Sequence, residues 1–411
     1  MPEPKEICPV LEVSTFESWD AFSKWYWNLI RKQYEVSPEI SKKVGQLSSG
    51  ADSDLAKIRH TYNFVVTDIR YNAWEFGVHG FKPYNAATIF ARRFGDCKDK
   101  ATLMSVMLGA EGIKAWPVLI NGDDRRGDED LTLPMVNHFN HCISYVPPTG
   151  GLGELYLDGT AQFHSVEELP SMDRGAKVLV VRDDGGSIQQ IPWNTPDELS
   201  EEEEATVTIR PDMGAELQVR ALPRGDFAVH IRRLFEIPAQ RKTTLEKVYG
   251  RRFAGAAVRD ENFSDLLSLD QPVSFSVTID APRFLEEVAE GLAIRAPEDF
   301  FMTGEMLTNI ASLEKRTYDV LLSNPRRSII KITYVLPEGL RTKVVPPAHD
   351  ISTRFGRLKV TYDLGTPGKI VAERLIELTA HRVSVADYEA FREFASAVNR
   401  LKDERILLEK S

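Results

Sequence analysis

A helix bounded on both sides frames this chain. Gly95-Asp96 breaks the polypeptide, Asp96 is a natural N-cap, and helical spacing then runs from Cys97 to about Ala110. Gly112 is suited to the left-handed turn that stops helices. Three strand candidates follow, residues 114–120, 139–146 and 154–158, with the polar loop 121–130 between the first two. Helices followed by consecutive strands give an α+β layout with an antiparallel sheet. Cys97, Ala101, Met104 and Leu108 share one helix face, so the thiol turns inward toward that sheet.

Upstream, Ser14 and Glu17 have capping-box spacing, and Phe16, Trp19, Phe22, Trp25, Tyr26, Leu29 and Ile30 give the next helix a broad apolar side. A second helix is expected over residues 53–69. After it come an aromatic segment holding Tyr71, Trp74, Phe76, Phe81 and Tyr84, and a short helix near residues 87–93. Beyond Pro192 and Pro196, the run Glu201 to Glu204 reads as a solvated linker and a boundary. Strand-like alternation over 205–235, a helix over 241–253 and a further strand at 273–279 follow it. A third region starts near Phe301, with strands at 315–322, 328–336, 358–362 and 371–379. It closes with a helix started by Ser384 and sided by Val385, Tyr388, Phe391, Phe394 and Val398.

The 411 residues exceed what one compact core holds, which fits this division into several domains. With a net charge of -10 and no Lys/Arg cluster, the chain lacks the basic face that neutralising phosphates requires, so nucleic acid is not an expected partner. No apolar stretch is long enough to span a bilayer, and the N-terminus lacks the basic start and apolar run of a secretory signal. Cys8, Cys97 and Cys142 are too few and odd in number for a disulfide framework.

The chemistry gathers around Cys97. A thiol is a nucleophile as thiolate, and a helix N-terminus favours that form through unpaired N–H groups and the helix dipole. The backbone N–H of Cys97 would also be free to bind an oxyanion. The expected base is His141. Strand alternation puts it on a face with Phe139, Ile143 and Tyr145, opposite Asn140, Cys142 and Ser144. Asp158, ending the next strand, is placed to hold the imidazole if the two strands pair, and Gly159-Thr160 would stop that strand.

The run Phe94-Gly95-Asp96-Cys97-Lys98-Asp99-Lys100-Ala101, then Phe139-Asn140-His141, then Leu157-Asp158-Gly159-Thr160, resembles the three signature blocks of bacterial transglutaminase-like proteins. More narrowly it resembles the DUF3857-type group, in which that core sits between β-rich domains of unknown function. Cys, His and Asp occur in the same order, separated by 44 and 17 residues. The resemblance covers residues 10–195 and implies a papain-like core with Cys97, His141 and Asp158 as catalytic triad. It also implies acyl transfer at amide bonds through a thioester, protein or peptide substrates, and a periplasmic or cell-envelope location. The expected domains are thus a transglutaminase-like catalytic domain (1–195), a β-rich domain (205–295) and a β-sandwich-like domain with a C-terminal helix (300–411). The group usually carries a further β-rich domain before the core. None is read here, which implies a shortened member or a piece of a longer protein. Gly159 also stands where the group often has Pro.

Other readings are weaker. His138 falls on the opposite face from His141, and Cys142 reads as a core filler. Lys98, Asp99 and Lys100 are expected to be solvated or paired locally, and Trp74, Tyr84 and Trp116 to be core before cleft. His60, His79 and His164 show no metal-ligand spacing, no CxxC occurs, and no glycine-rich phosphate loop is present, so no cofactor is expected. The rival function is a non-catalytic scaffold that binds protein or glycan at the cell envelope. A metal-dependent hydrolase would need ligand clusters that the sequence does not display.

Overall fold

The computed structural model describes residues 2, 4–73, 75–295, 297, 307 and 310–410. The chain forms two units that divide between Trp193 and Asn194. The first holds a five-stranded antiparallel sheet in the order Leu155–Leu157, His141–Val146, Trp116–Ile120, Lys177–Val181 and Gly186–Gln190. The last two strands were not read from the sequence.

Alternation sorts the residues of this sheet. Leu119, Cys142, Leu179 and Val181 face the helices, packing with Cys97 and Ala101 of the Cys97–Ala110 helix and with Phe22, Tyr26 and Ile30 of the Trp19–Ile30 helix. Val118, Ile120, Ile143, Tyr145, Val178 and Val180 form a separate core on the other face. Burying one such large apolar side chain is worth roughly 1.5–3 kcal/mol. Ser144, on the helix side, donates its hydroxyl to the Ala101 carbonyl at 3.2 Å, which ties the strand that starts at His141 to the helix that starts at Cys97.

Three helix starts are capped by serine: Ser18, Ser37 and Ser53 each accept a backbone N–H of the first turn. The Trp19–Ile30 helix is therefore capped by Ser18 and not by Ser14, whose hydroxyl donates to the Pro134 carbonyl at 2.6 Å. The Pro38–Leu47 helix, with Pro at its first position, was not foreseen. Asp54–Asp68 and Ala86–Arg92 form where helices were expected.

In the second unit, eight strands share one sheet in the order Ala257–Phe263, Phe275–Ala281, Ala215–Pro223, Ser200–Ile209, Arg326–Val335, Lys369–Leu378, Gly356–Asp363 and His349–Thr353. Ser200–Ile209 runs parallel to Arg326–Val335, and the other pairs are antiparallel. Residues 201–204 are thus not a linker. They lie inside a strand paired on both sides, where Glu201 and Glu203 are buried and Arg327 reaches Glu202 at 3.5 Å. The sheet also takes strands from both 205–295 and 300–411, so the expected seam between two β-rich domains runs through a continuous hydrogen-bonded surface.

Part of 205–235 is a helix, Asp226–Leu234, not a strand. Its buried Ala228, Ile231 and Arg232, with Phe235 at its C-cap, recur at spacings of three and four, a helical signal inside what reads as alternation. A four-stranded antiparallel sheet includes Arg405–Lys410, and the Tyr388–Arg400 helix buries Tyr388, Phe391, Phe394 and Val398 as expected, while Val385 is exposed. Trp74 and Phe301 lie outside the described residues.

Candidate active site

The helix start at Cys97 is built by a network of charged side chains. Asp96 accepts the Asp99 N–H at 3.1 Å, and the Asp99 carboxylate turns back to the Asp96 N–H at 3.4 Å, forming a reciprocal capping box. Asp99 also receives the Tyr84 N–H at 2.8 Å and Arg92 at 2.6 Å. Gly95 is required here because a Cβ on it would lie 2.6 Å from the Cβ of Asp99. Lys98 donates to Asp96 at 2.6 Å and reaches Glu75 at 3.4 Å, and Lys100 donates to the Ile69 carbonyl at 2.6 Å. All three charged residues after Cys97 are buried rather than solvated. Each has a partner that offsets the loss of water.

Cys97 and His141 meet at the rim of this arrangement. Cys97 is 8% exposed and the His141 side chain 9%, so the pair lies just under the surface. His141 is the first residue of its strand, and its imidazole is within side-chain hydrogen-bond reach of Cys97. On its other side, His141 Nε2 lies 3.2 Å from Asp158 Oδ2. That is ion-pair distance, although the ring N–H is not aligned well enough for a hydrogen bond. Asp158 follows the Leu155–Leu157 strand, whose register pairs Leu157 with Ser144 and brings the carboxylate back toward His141. The Thr160 N–H and hydroxyl donate to Asp158 Oδ1 at 2.7 and 2.8 Å. The structure thus brings together Cys97, His141 and Asp158.

Burial alone would lower the His141 pKa. The Asp158 carboxylate outweighs it, with smaller help from Cys97, and raises it well above the ordinary value. For Asp158 burial acts upward, but His141 and Thr160 hold its pKa below the usual carboxylate value. Burial pushes the Cys142 thiol up, with the charge at Cys97 adding to it, and Cys142 packs in the core as a filler. His138 bonds the Leu133 carbonyl at 3.0 Å and His60 the Leu47 carbonyl at 2.8 Å.

Sequence reasoning missed Asp173. It is fully buried beside His141 and Asp158, and one ligand atom from each of the three lies within 4.8 Å of the others. Glu75, Asp96 and Cys97 form a similar group, but there the Lys98 ammonium already bridges Asp96 and Glu75. Also missed was Arg126. Its guanidinium donates to the carbonyls of Asn121, Met172 and Arg174 and pairs with Glu129 at 2.6 Å, tying the 121–130 loop to the segment that carries Asp173. A lone Asp in a turn-rich stretch and an Arg in a polar loop carry no periodic signal. Only the spatial proximity of these loops reveals their roles.

The transglutaminase-like superfamily model matches residues 41–146, a span that holds the Cys97 helix and the His141 strand. This segment is a transglutaminase-like core. Residues 299–408 match DUF3858, a domain of unknown function for which a structure has been solved. A crystal structure of a candidate protease from Parabacteroides distasonis superposes with a TM-score of 0.59 at 15% identity over 97% of this chain. This chain spans 59% of the length of that structure, and at such identity the likeness is one of fold. A candidate cysteine protease from Cytophaga hutchinsonii aligns at 14% identity over 39% of this chain and 53% of its own, with a TM-score of 0.24. No curated protein matches the chain.

Proposed function

We propose that this chain is a cysteine-dependent enzyme performing acyl transfer at amide bonds of proteins or peptides. The observation that carries the reading is the convergence of three side chains from separate elements, with His141 beside Cys97 and its far nitrogen 3.2 Å from Asp158. The transglutaminase-like core supports it.

In this reading His141 takes the Cys97 thiol proton and the sulfur attacks the amide carbonyl. The oxyanion of the tetrahedral intermediate binds the Cys97 backbone N–H, which has no acceptor within the first helical turn. Collapse breaks the C–N bond, His141 delivers its proton to the leaving amine, and a thioester on Cys97 remains. Water then releases an acid, or a second amine forms a new amide. Asp158, fixed by Thr160, orients the ring and stabilises the imidazolium that forms. Tyr71 is half-exposed, and burial, with the charge of Cys97 next, pushes its pKa up to about 12.

The test is to incubate wild-type protein with a peptide library, trap acyl-Cys97 for mass spectrometry, and compare His141→Ala and Cys97→Ala. Turnover is expected to fall by a factor on the order of 10⁴ in either variant. Equal trapping in wild type and His141→Ala would overturn the reading.

A further inference from the structure

Asp173 is 0% exposed, and neither of its carboxylate oxygens receives a hydrogen bond from any described residue. An ionised carboxylate in that state is strongly disfavoured. Its neighbour is a second buried carboxylate, Asp158, within the same 4.8 Å cluster. Two carboxylates this close and this deep do not both ionise. Which one keeps the charge follows from their partners: Asp158 receives the Thr160 N–H and the Thr160 hydroxyl and lies 3.2 Å from His141 Nε2, whereas Asp173 receives neither Thr160 bond.

We propose that Asp173 is a neutral carboxylic acid at physiological pH and donates its proton to Asp158, making it a positioning residue that holds the Asp158 carboxylate toward His141. The inference rests on the triad reading given above. Burial, then the Asp158 charge, pushes the Asp173 pKa well up. Placement is firm, because the carbonyls on either side of Asp173, those of Met172 and Arg174, both accept from Arg126, and the Asp173 N–H donates to the Pro170 carbonyl at 3.0 Å.

The other titratable groups around the pair fit this assignment. Arg126 donates to three carbonyls and Glu129. Tyr62, on the Asp54–Asp68 helix, is fully buried and kept neutral first by burial and then by the charge on Asp158. Lys100 lies behind Asp158 and donates to the Ile69 carbonyl, with its pKa brought down to about 8 by burial. His141, Asp158 and Asp173 are also a ligand set for a divalent cation. A cation there would occupy the His141 nitrogen that faces Asp158. The proton leaves that nitrogen in place to be oriented.

The test compares full-length wild type, Asp173→Asn and Asp173→Ala by three readouts: the His141 imidazole titration by NMR, the pH profile of Cys97 alkylation by iodoacetamide, and the metal content of the purified protein. Asn is neutral and keeps an N–H donor, so it is expected to leave the His141 midpoint and the alkylation profile where they are in wild type. Ala removes the donor and is expected to slow alkylation by about tenfold, the scale typical of lost supporting hydrogen bonds. A downward shift of the His141 midpoint in Asp173→Asn would show that a negative charge had been removed, and would overturn the proposal. So would equal behaviour of the two variants, or one tightly held divalent ion per chain. If wild-type Cys97 instead alkylates like an ordinary thiol and ignores His141→Ala, the triad reading fails, while the Asp173→Asn titration still decides the proton assignment.

Discussion

His141 and Asp158 bias each other's titration in opposite directions, and the consequence for stability can be signed. The folded-state pKa of His141 lies above its unfolded value, so its contribution is complete below about pH 6.5 and is lost as pH rises through the folded value. The Asp158 pKa is depressed, so its contribution is complete above about pH 4 and is lost as pH falls through the folded value. The pair therefore stabilises the fold most between those limits. Replacing Asp158 with Asn is expected to lower the His141 titration midpoint, read by imidazole NMR. An unchanged midpoint would mean that the 3.2 Å approach does not persist in solution.

The Cys97–Ala110 helix depends on its first turn. The Asp99 side chain, which returns to the Asp96 N–H and takes the Arg92 contact, packs against Gly95, so Gly95→Ala is expected to force the capping box apart. The cost is about 1–2 kcal/mol in thermal or urea unfolding, with slower Cys97 alkylation. A stable variant with wild-type alkylation would refute this. Here the sequence was legible: Asp96 before Cys97 and Gly112 after it mark both helix ends, and Gly112 does adopt a positive φ of 79°. The residues of the proposed site stand out in the sequence for a related reason, because the thiol, imidazole and carboxylate each sit at the end of a regular element. Illegible were features that depend on neighbours distant in sequence. After its first residue the Lys177–Val181 strand is an unbroken apolar run, which a central strand covered on both faces permits but which carries no period of two. The acidic stretch at 201–204 reads as solvent-exposed until Arg326–Val335 pairs beside it. Asp173 becomes meaningful only where its loop folds over His141.

At the scale of the molecule, the segment matching DUF3858 and the compact unit in the structure have different bounds. Residues 299–408 lack the Ser200–Ile209 strand that pairs with Arg326–Val335. They also lack Gly291–Arg295, the partner of Arg405–Lys410 in the four-stranded sheet. Expressed alone, 299–408 is expected to aggregate or to melt without a cooperative transition, whereas 194–411 is expected to unfold cooperatively, as followed by circular dichroism. A cooperative, monomeric 299–408 would show that those two strands are dispensable. The parallel pairing of Ser200 beside Arg327 also sets an order for biosynthesis. While the ribosome is still translating the last third of the chain, the Ser200–Ile209 strand has the Ala215–Pro223 hairpin partner on one flank and nothing on the other. For that interval the nascent polypeptide presents an acidic strand to the cell, and its four successive glutamates repel a second copy of the same segment until the native partner emerges.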